Sequence, residues 1–143
     1  MLLSEMAAQF GAQCVVASID AKRRAAGWEV YVRGGSTPTG LDAVEWAREC
    51  VGRGAGEILL TSIDRDGTRA GYDLELTRAV AESVPVPVIA SGGAGSADHI
   101  RDALACTGAD AALVAGILHD GEVTVRSIKE ALADADIAMR MSE

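Results

Sequence analysis

Apolar positions along this chain come in short blocks whose spacing switches between helical and extended periods. Leu2, Leu3, Met6, Ala7 and Phe10 recur at helical intervals, and Gly11 closes the block as a helix C-cap would. The apolar run from Cys14 to Ile19 ends at Asp20 and predicts a buried strand. Lys22–Gly27 is polar, Trp28–Val32 alternates weakly and predicts a small extra strand, and Gly34–Gly40 reads as a loop. Leu41, Val44, Ala47 and Val51 set a helix over Leu41–Gly52, with Asp42 near its amino end to suit the dipole. Glu57–Ile63 predicts a strand, Asp64–Asp73 a polar loop, Leu74–Val84 a helix and Val86–Ala90 a further strand. Ala97–Ala105 is a helix, Ala111–Ala115 a strand and Val125–Ala133 a closing helix.

Strict alternation with short connections predicts an α/β fold: a parallel sheet with right-handed crossovers. The 143 residues suit one domain, with a leading helix over 1–12 and four βα units over 13–143. Ser18-Ile19-Asp20 and Ser62-Ile63-Asp64 repeat at the carboxyl ends of successive strands, the habit of a TIM (β/α)8 barrel. Four units make a (β/α)4 half of such a barrel, which typically takes about 250 residues. The alternative is a small doubly wound sheet. Its dinucleotide fingerprint is missing, because the turn after the third strand is Gly92-Gly93-Ala94-Gly95 and not G-x-G-x-x-G.

Aromatic residues are only 3% of the chain, so the core has to be assembled from Ala, Val, Leu and Ile, as in buried parallel strands. A net charge of −8 argues against nucleic acid or an anionic membrane as a partner. It leaves room for phosphate, which backbone amides can bind locally. Cys14, Cys50 and Cys106 show no metal spacing and read as buried small hydrophobes in a reducing compartment. No apolar run approaches the roughly 20 residues of a membrane span. The start, Met1–Met6, lacks the features of a signal peptide, so the expectation is a cytoplasmic protein.

The chemistry gathers at two glycine-bearing strand ends. Val86–Ala90 runs into Ser91-Gly92-Gly93-Ala94-Gly95, and Ser96 follows as the N-cap of a helix. Glycines there leave backbone N–H groups uncovered at the positive end of the helix dipole, an arrangement suited to an anion. The second hinge is Ile63-Asp64-Arg65-Asp66-Gly67-Thr68. Together they predict a site at the carboxyl edge of the sheet, with phosphate as its ligand. His99 at a helix start and His119 beyond the last strand have no second metal ligand in spacing and read as surface or supporting histidines. Trp28 and Trp46 read as packing residues, and Asp134–Asp136 as a solvated face.

Three strings carry a resemblance: Val16–Arg23, Gly54–Thr68 and Ile89–Gly95. They resemble the cyclase subunit of imidazole glycerol phosphate synthase, from histidine biosynthesis. The likeness runs over nearly the whole chain and corresponds to the carboxyl-terminal half of that family's barrel. The sister isomerase of the same pathway also carries glycine-turn phosphate sites, but Ile19–Arg23 and Gly67–Asp73 point to the cyclase. The resemblance implies an enzyme that joins ammonia to a bis-phosphate ribulosyl-formimino ribonucleotide. It closes the imidazole ring and releases imidazole glycerol phosphate and an aminoimidazole carboxamide ribonucleotide, with no cofactor. A glutaminase partner supplies the ammonia through the barrel core.

Residue by residue, the resemblance makes Asp20 the acid–base carboxylate of this half. Taken alone, Asp20 would read as a loop acid near Lys22 and Arg23. One substrate phosphate falls to Asp66-Gly67-Thr68, Ser91-Gly92-Gly93 and Ala115-Gly116, with Thr61 and Asp66 lining the mouth. Gly116 stands where the family commonly has serine, which implies weaker phosphate binding. Glu57, at the opposite end of its strand, matches a position at the ammonia entrance; taken alone it is a solvent-facing acid. A half-barrel has open parallel edges at its first and last strands, so association with itself or with an amino-terminal half-barrel is expected. Without such a partner the chain would be a phosphate-binding module that does not turn over.

Overall fold

The computed structural model describes residues 2–141. Helix α1 (Leu2–Phe10) and a single 3-10 turn (Ala12–Cys14) lead into strand β1 (Val16–Arg23). Then come β2 (Trp28–Val32), β3 (Thr37–Asp42), α2 (Ala43–Gly52), β4 (Glu57–Ser62), α3 (Leu74–Ala81) and β5 (Val88–Ser91). The chain continues through α4 (Ala97–Thr107), β6 (Ala111–Ala112), α5 (Gly116–His119) and α6 (Val125–Asp134). The six strands form one sheet in the order β3-β2-β1-β4-β5-β6. The pairs β1–β4, β4–β5 and β5–β6 are parallel, as the alternation of apolar blocks predicts.

Two expectations are corrected on the β1 side. The stretch Gly34–Gly40, read as a loop, contains most of β3, which pairs antiparallel with β2. Pro38 is tolerated there because β3 is an edge strand, where a missing N–H costs no ladder bond. β1 also runs on past Asp20, since β2 pairs with Asp20, Ala21, Lys22 and Arg23. The edge of β1, expected to be open, is therefore covered along its carboxyl-terminal half by the β2–β3 hairpin. At the other edge, β6 is shorter than the expected Ala111–Ala115, and the chain turns into the short helix α5, which the apolar pattern does not announce.

The helices α2, α3, α4 and α6 start at polar caps. Asp42 accepts hydrogen bonds from the Val44 and Glu45 amides, Asp73 from Leu76, and Ser96 from His99. Thr124 caps α6 in a reciprocal box with Ser127. Their inner faces carry small or branched residues, Ala43, Ala47 and Ala103 among them, so the helices approach the sheet closely. One core joins Ile19, Ala21, Ile58, Leu60 and Val88 to α2 and α3; a second joins Ala90 to Ile100, Ile128 and Leu132. Trp28 and Trp46 pack against the first core, as expected of them. Of the cysteines only Cys50 is buried, while Cys14 and Cys106 are exposed. No helix among the described residues is long and apolar enough to cross a membrane.

Alternation along the strands separates two faces. In β1 the residues Ala17, Ile19 and Ala21 are buried under helices, whereas Val16 and Ser18 are exposed and Asp20 is half-buried. β4 and β5 repeat this with Ile58, Leu60, Ser62, Val88 and Ala90 buried, and Glu57, Leu59, Thr61, Ile89 and Ser91 less so. One side of the parallel sheet is thus packed by helices and the other is left open. That is the section expected of half a (β/α)8 barrel, in which the open face would be the barrel interior.

Candidate functional site at the carboxyl edge of the sheet

The register of the parallel strands aligns three of the expected site residues in one row. Asp20 pairs with Thr61, and Thr61 with Ser91. With a side-chain period of two, a shared register means a shared face, and the row lies on the open one. Asp20 is part of a strand and not of a loop. The nearby cations are engaged elsewhere: the Arg23 guanidinium donates to Glu75 at 2.5 Å and stacks over Trp28, and the Lys22 ammonium lies over the Tyr31 ring. Glu57 is on the same face four residues below Thr61, roughly 13 Å away at the opposite end of the sheet.

The glycine turn after β5 is shaped by its neighbour, the loop between β4 and α3. Gly92 and Gly93 take φ of +88° and +106°, values that favour glycine. A Cβ on Gly93 would stand 2.3 Å from the Gly71 carbonyl oxygen, and one on Gly92 2.8 Å from that of Ser62. The two loops are joined by the Gly71 amide donating to the Gly93 carbonyl at 2.8 Å. His99 supports the same junction: its Nδ1 accepts from the Gly95 amide at 3.1 Å and its ring lies against Gly71. This is the supporting role expected for that histidine.

A cavity of about 200 Å³ opens beside this junction. It is lined by Asp66, Gly67, Ser91, Gly92, Gly93, Ala115 and Gly116, all expected from sequence, and by Arg69, Ala94 and Leu113, which were not. The volume suits a phosphate-sized group. Thr68 is not brought into it. Its hydroxyl donates to the Arg65 carbonyl at 2.7 Å, accepts from the Ala70 amide, and faces a neighbouring cavity with Arg23, Asp64 and Arg65. Tyr72 lies behind the lining residue Leu113: its buried hydroxyl donates to the Leu113 carbonyl at 2.8 Å, and burial pushes the phenol up to about 12.

Arg69 is the one cation among the described lining residues. Its guanidinium is bound by Asp120 and, at 2.5 Å, by Glu122, and these hydrogen bonds raise its basicity further. The sequence signal for it was weak. It is an arginine one position beyond Asp66-Gly67-Thr68, and only the meeting of loop 67–71 with α5 and the segment 120–122 beyond it brings it to the site. Among the described residues no cluster of His, Cys, Asp and Glu could hold a metal ion.

Residues 1–124 match the family described as histidine biosynthesis protein. The chain belongs to this family. Within it, the chain is 68% identical over 139 residues to a Myxococcus xanthus protein named imidazole glycerol phosphate synthase subunit HisF, covering 97% of this chain and 55% of that protein. Proteins of the same name from a Synechococcus species and from Metallosphaera sedula are 61% and 59% identical, covering 97% of this chain in each case and 56% and 55% of those proteins. The chain spans just over half the length of these curated relatives. As a member of the histidine biosynthesis family, it has the expected half-barrel fold, and its row Asp20–Thr61–Ser91 lies at the edge of the sheet where TIM barrels keep their chemistry.

Proposed function

We propose that this chain supplies the carboxyl-terminal half of an imidazole glycerol phosphate synthase cyclase site, the four βα units acting as one half-barrel domain in the cytoplasm. The observation that carries the reading is the convergence of Asp66, Gly67, Ser91, Gly92, Gly93, Ala115 and Gly116 on one phosphate-sized cavity next to the row of Asp20 and Thr61. In this reading the glycine turns bind one terminal phosphate of the ribulosyl-formimino ribonucleotide through backbone amides, and the Ser91 hydroxyl adds a donor. Thr61 and Asp66 line the mouth. Asp20 faces the reacting carbons and moves protons during ammonia addition and ring closure, as a carboxylate within reach of a substrate proton can. Glu57, at the far end of the same face, marks the ammonia entrance and the side on which a glutaminase subunit docks.

The second phosphate and the second acid–base group belong to the other half of the barrel. The edge strand β6, a pair of residues bonded only to β5 among the described strands, and the open face of Val16, Ser18 and Leu59 are where that half would close the barrel. A second copy of this chain or an amino-terminal half-barrel fits that role. The experiment is ammonia-dependent turnover of the ribulosyl-formimino substrate, with the oligomer mass measured on the same sample. Turnover by the chain alone means that a homo-oligomer forms a working barrel. Saturable phosphate binding without turnover assigns it the second reading, a binding half that awaits its complement. Neither turnover nor binding, with or without an added amino-terminal half-barrel, refutes the proposal.

A further inference from the structure

We infer that Arg69 is a side-chain ligand of the anion in the 200 Å³ cavity, held on a carboxylate latch formed by Asp120 and Glu122. This rests on the phosphate reading above and adds to it a cation that the backbone cradle lacks. The guanidinium lies alongside the lining residue Gly116: a Cβ there would be 3.9 Å from both Nε and Nη2 of Arg69, an ordinary contact. Its own backbone is fixed in the left-handed region at φ 58°, with the Arg69 carbonyl packed so close to Gly95 that a Cβ there would stand 2.1 Å from it. The turn therefore fixes where the side chain starts, and the pairs with Asp120 and Glu122 fix where its guanidinium lies.

Charge makes the arginine necessary. Asp66 lines the cavity, and Asp120 and Glu122 are paired with the lining residue Arg69, so without the arginine a phosphate dianion would meet the like charge of Asp66 with two unpaired carboxylates nearby. A planar guanidinium offers paired N–H donors that match two phosphate oxygens. The present partners are exchangeable. Arg69, Asp120 and Glu122 are each about half exposed, at 43%, 53% and 50%, and ion pairs at such exposure hold weakly against competition. An entering phosphate can thus draw the guanidinium inward, away from Asp120 and Glu122. The two carboxylates compete with the anion for one cation.

Calorimetric titration with inorganic phosphate at fixed ionic strength tests this on the whole chain. Arg69→Gln is expected to weaken binding at least about tenfold, as loss of a charged hydrogen-bond donor does, with Arg69→Lys recovering part of it. The double variant Asp120→Asn/Glu122→Gln is expected to bind several-fold tighter. Arg69→Gly, which the positive φ favours, reports the same loss should Arg69→Gln fail to fold. Saturable binding by the natural chain that none of these arginine changes alters would overturn the inference and leave the phosphate reading standing. Weaker binding in the double variant would overturn the latch, because the carboxylates would then position the arginine and not compete for it. No saturable binding by the natural chain removes the phosphate reading, and this inference with it.

Discussion

Asp20 and Thr61 stand opposite one another in parallel register at the carboxyl ends of β1 and β4, on the face that the helices leave open. The pairing places a half-buried carboxylate beside a hydroxyl at the mouth of the half-barrel, yet Asp20 is not among the residues that line the phosphate-sized cavity. In the proposed function, acid–base chemistry and anion binding therefore fall to different side chains on one edge.

Asp20→Asn follows directly from that separation. In the presence of whatever half completes the barrel, it should lower ammonia-dependent turnover by about 10²–10⁴-fold, the usual contribution of a positioned proton carrier. Phosphate affinity should stay within about threefold, or ~0.7 kcal/mol. A tenfold loss of phosphate binding, measured by calorimetry, would show that the carboxylate shapes the anion site and would refute the division of roles.

Gly93→Val and Gly67→Ala separate close approach from mere backbone preference. At Gly93 a side chain meets the Gly71 carbonyl at 2.3 Å and the φ of +106° is unsuited to any branched residue, so the substitution should cost more than about 3 kcal/mol and close the cavity. Gly67 also has a positive φ, +73°, but a Cβ there meets nothing within 4 Å, so Gly67→Ala should cost only about 1 kcal/mol. Urea titrations of both variants give the contrast. Equal losses would show that the two loops are not locked together at the Gly71–Gly93 hydrogen bond.

How far the site could be read without coordinates depended on whether its signal was local. The ends of β4 and β5 were legible because each apolar run stops at a polar segment on the same edge, at Asp64 and Ser91. The cavity lining was legible through its glycines. β3 was not, since Gly34, Gly35, Pro38 and Gly40 disfavour a strand locally and only pairing with Tyr31 and Val32 makes one. β1 extends through polar Lys22 and Arg23 for the same reason, its backbone being satisfied by Glu29 and Trp28. Arg69 belongs to the third kind. Its place depends on two loops far apart in sequence meeting in space, through Asp120 and Glu122.

Ser62 offers a test of the packing behind the site. Its hydroxyl oxygen is buried with no hydrogen-bond partner at the end of β4, one residue beyond Thr61. An unsatisfied buried hydroxyl is a cost and not a support. Ser62→Ala should leave stability unchanged or raise it by up to about 1 kcal/mol, with the phosphate affinity intact. A loss of more than about 1 kcal/mol on thermal or urea unfolding would mean that the hydroxyl has a partner after all.

Tyr72 gives the site a pH signature. The phenol is only 4% exposed, donates to the Leu113 carbonyl, and is pushed up to about 12 by burial. Its ordinary value is about 10. Because the folded value is the higher one, the neutral phenol's contribution is complete below pH 10. It is then lost as the pH rises from 10 towards 12, where the unfolded chain ionises first. The slope over that window is about 1 kcal/mol per pH unit, in the sense of weakening with alkali. Tyr72→Phe should be less stable than the natural chain at neutral pH, having lost the bond to Leu113, and should decline less steeply above pH 10. Urea titrations at pH 7, 9, 10 and 11 would show the two stability curves converging. Parallel curves would mean that the phenol titrates as if exposed and that the packing around Tyr72 is open to water.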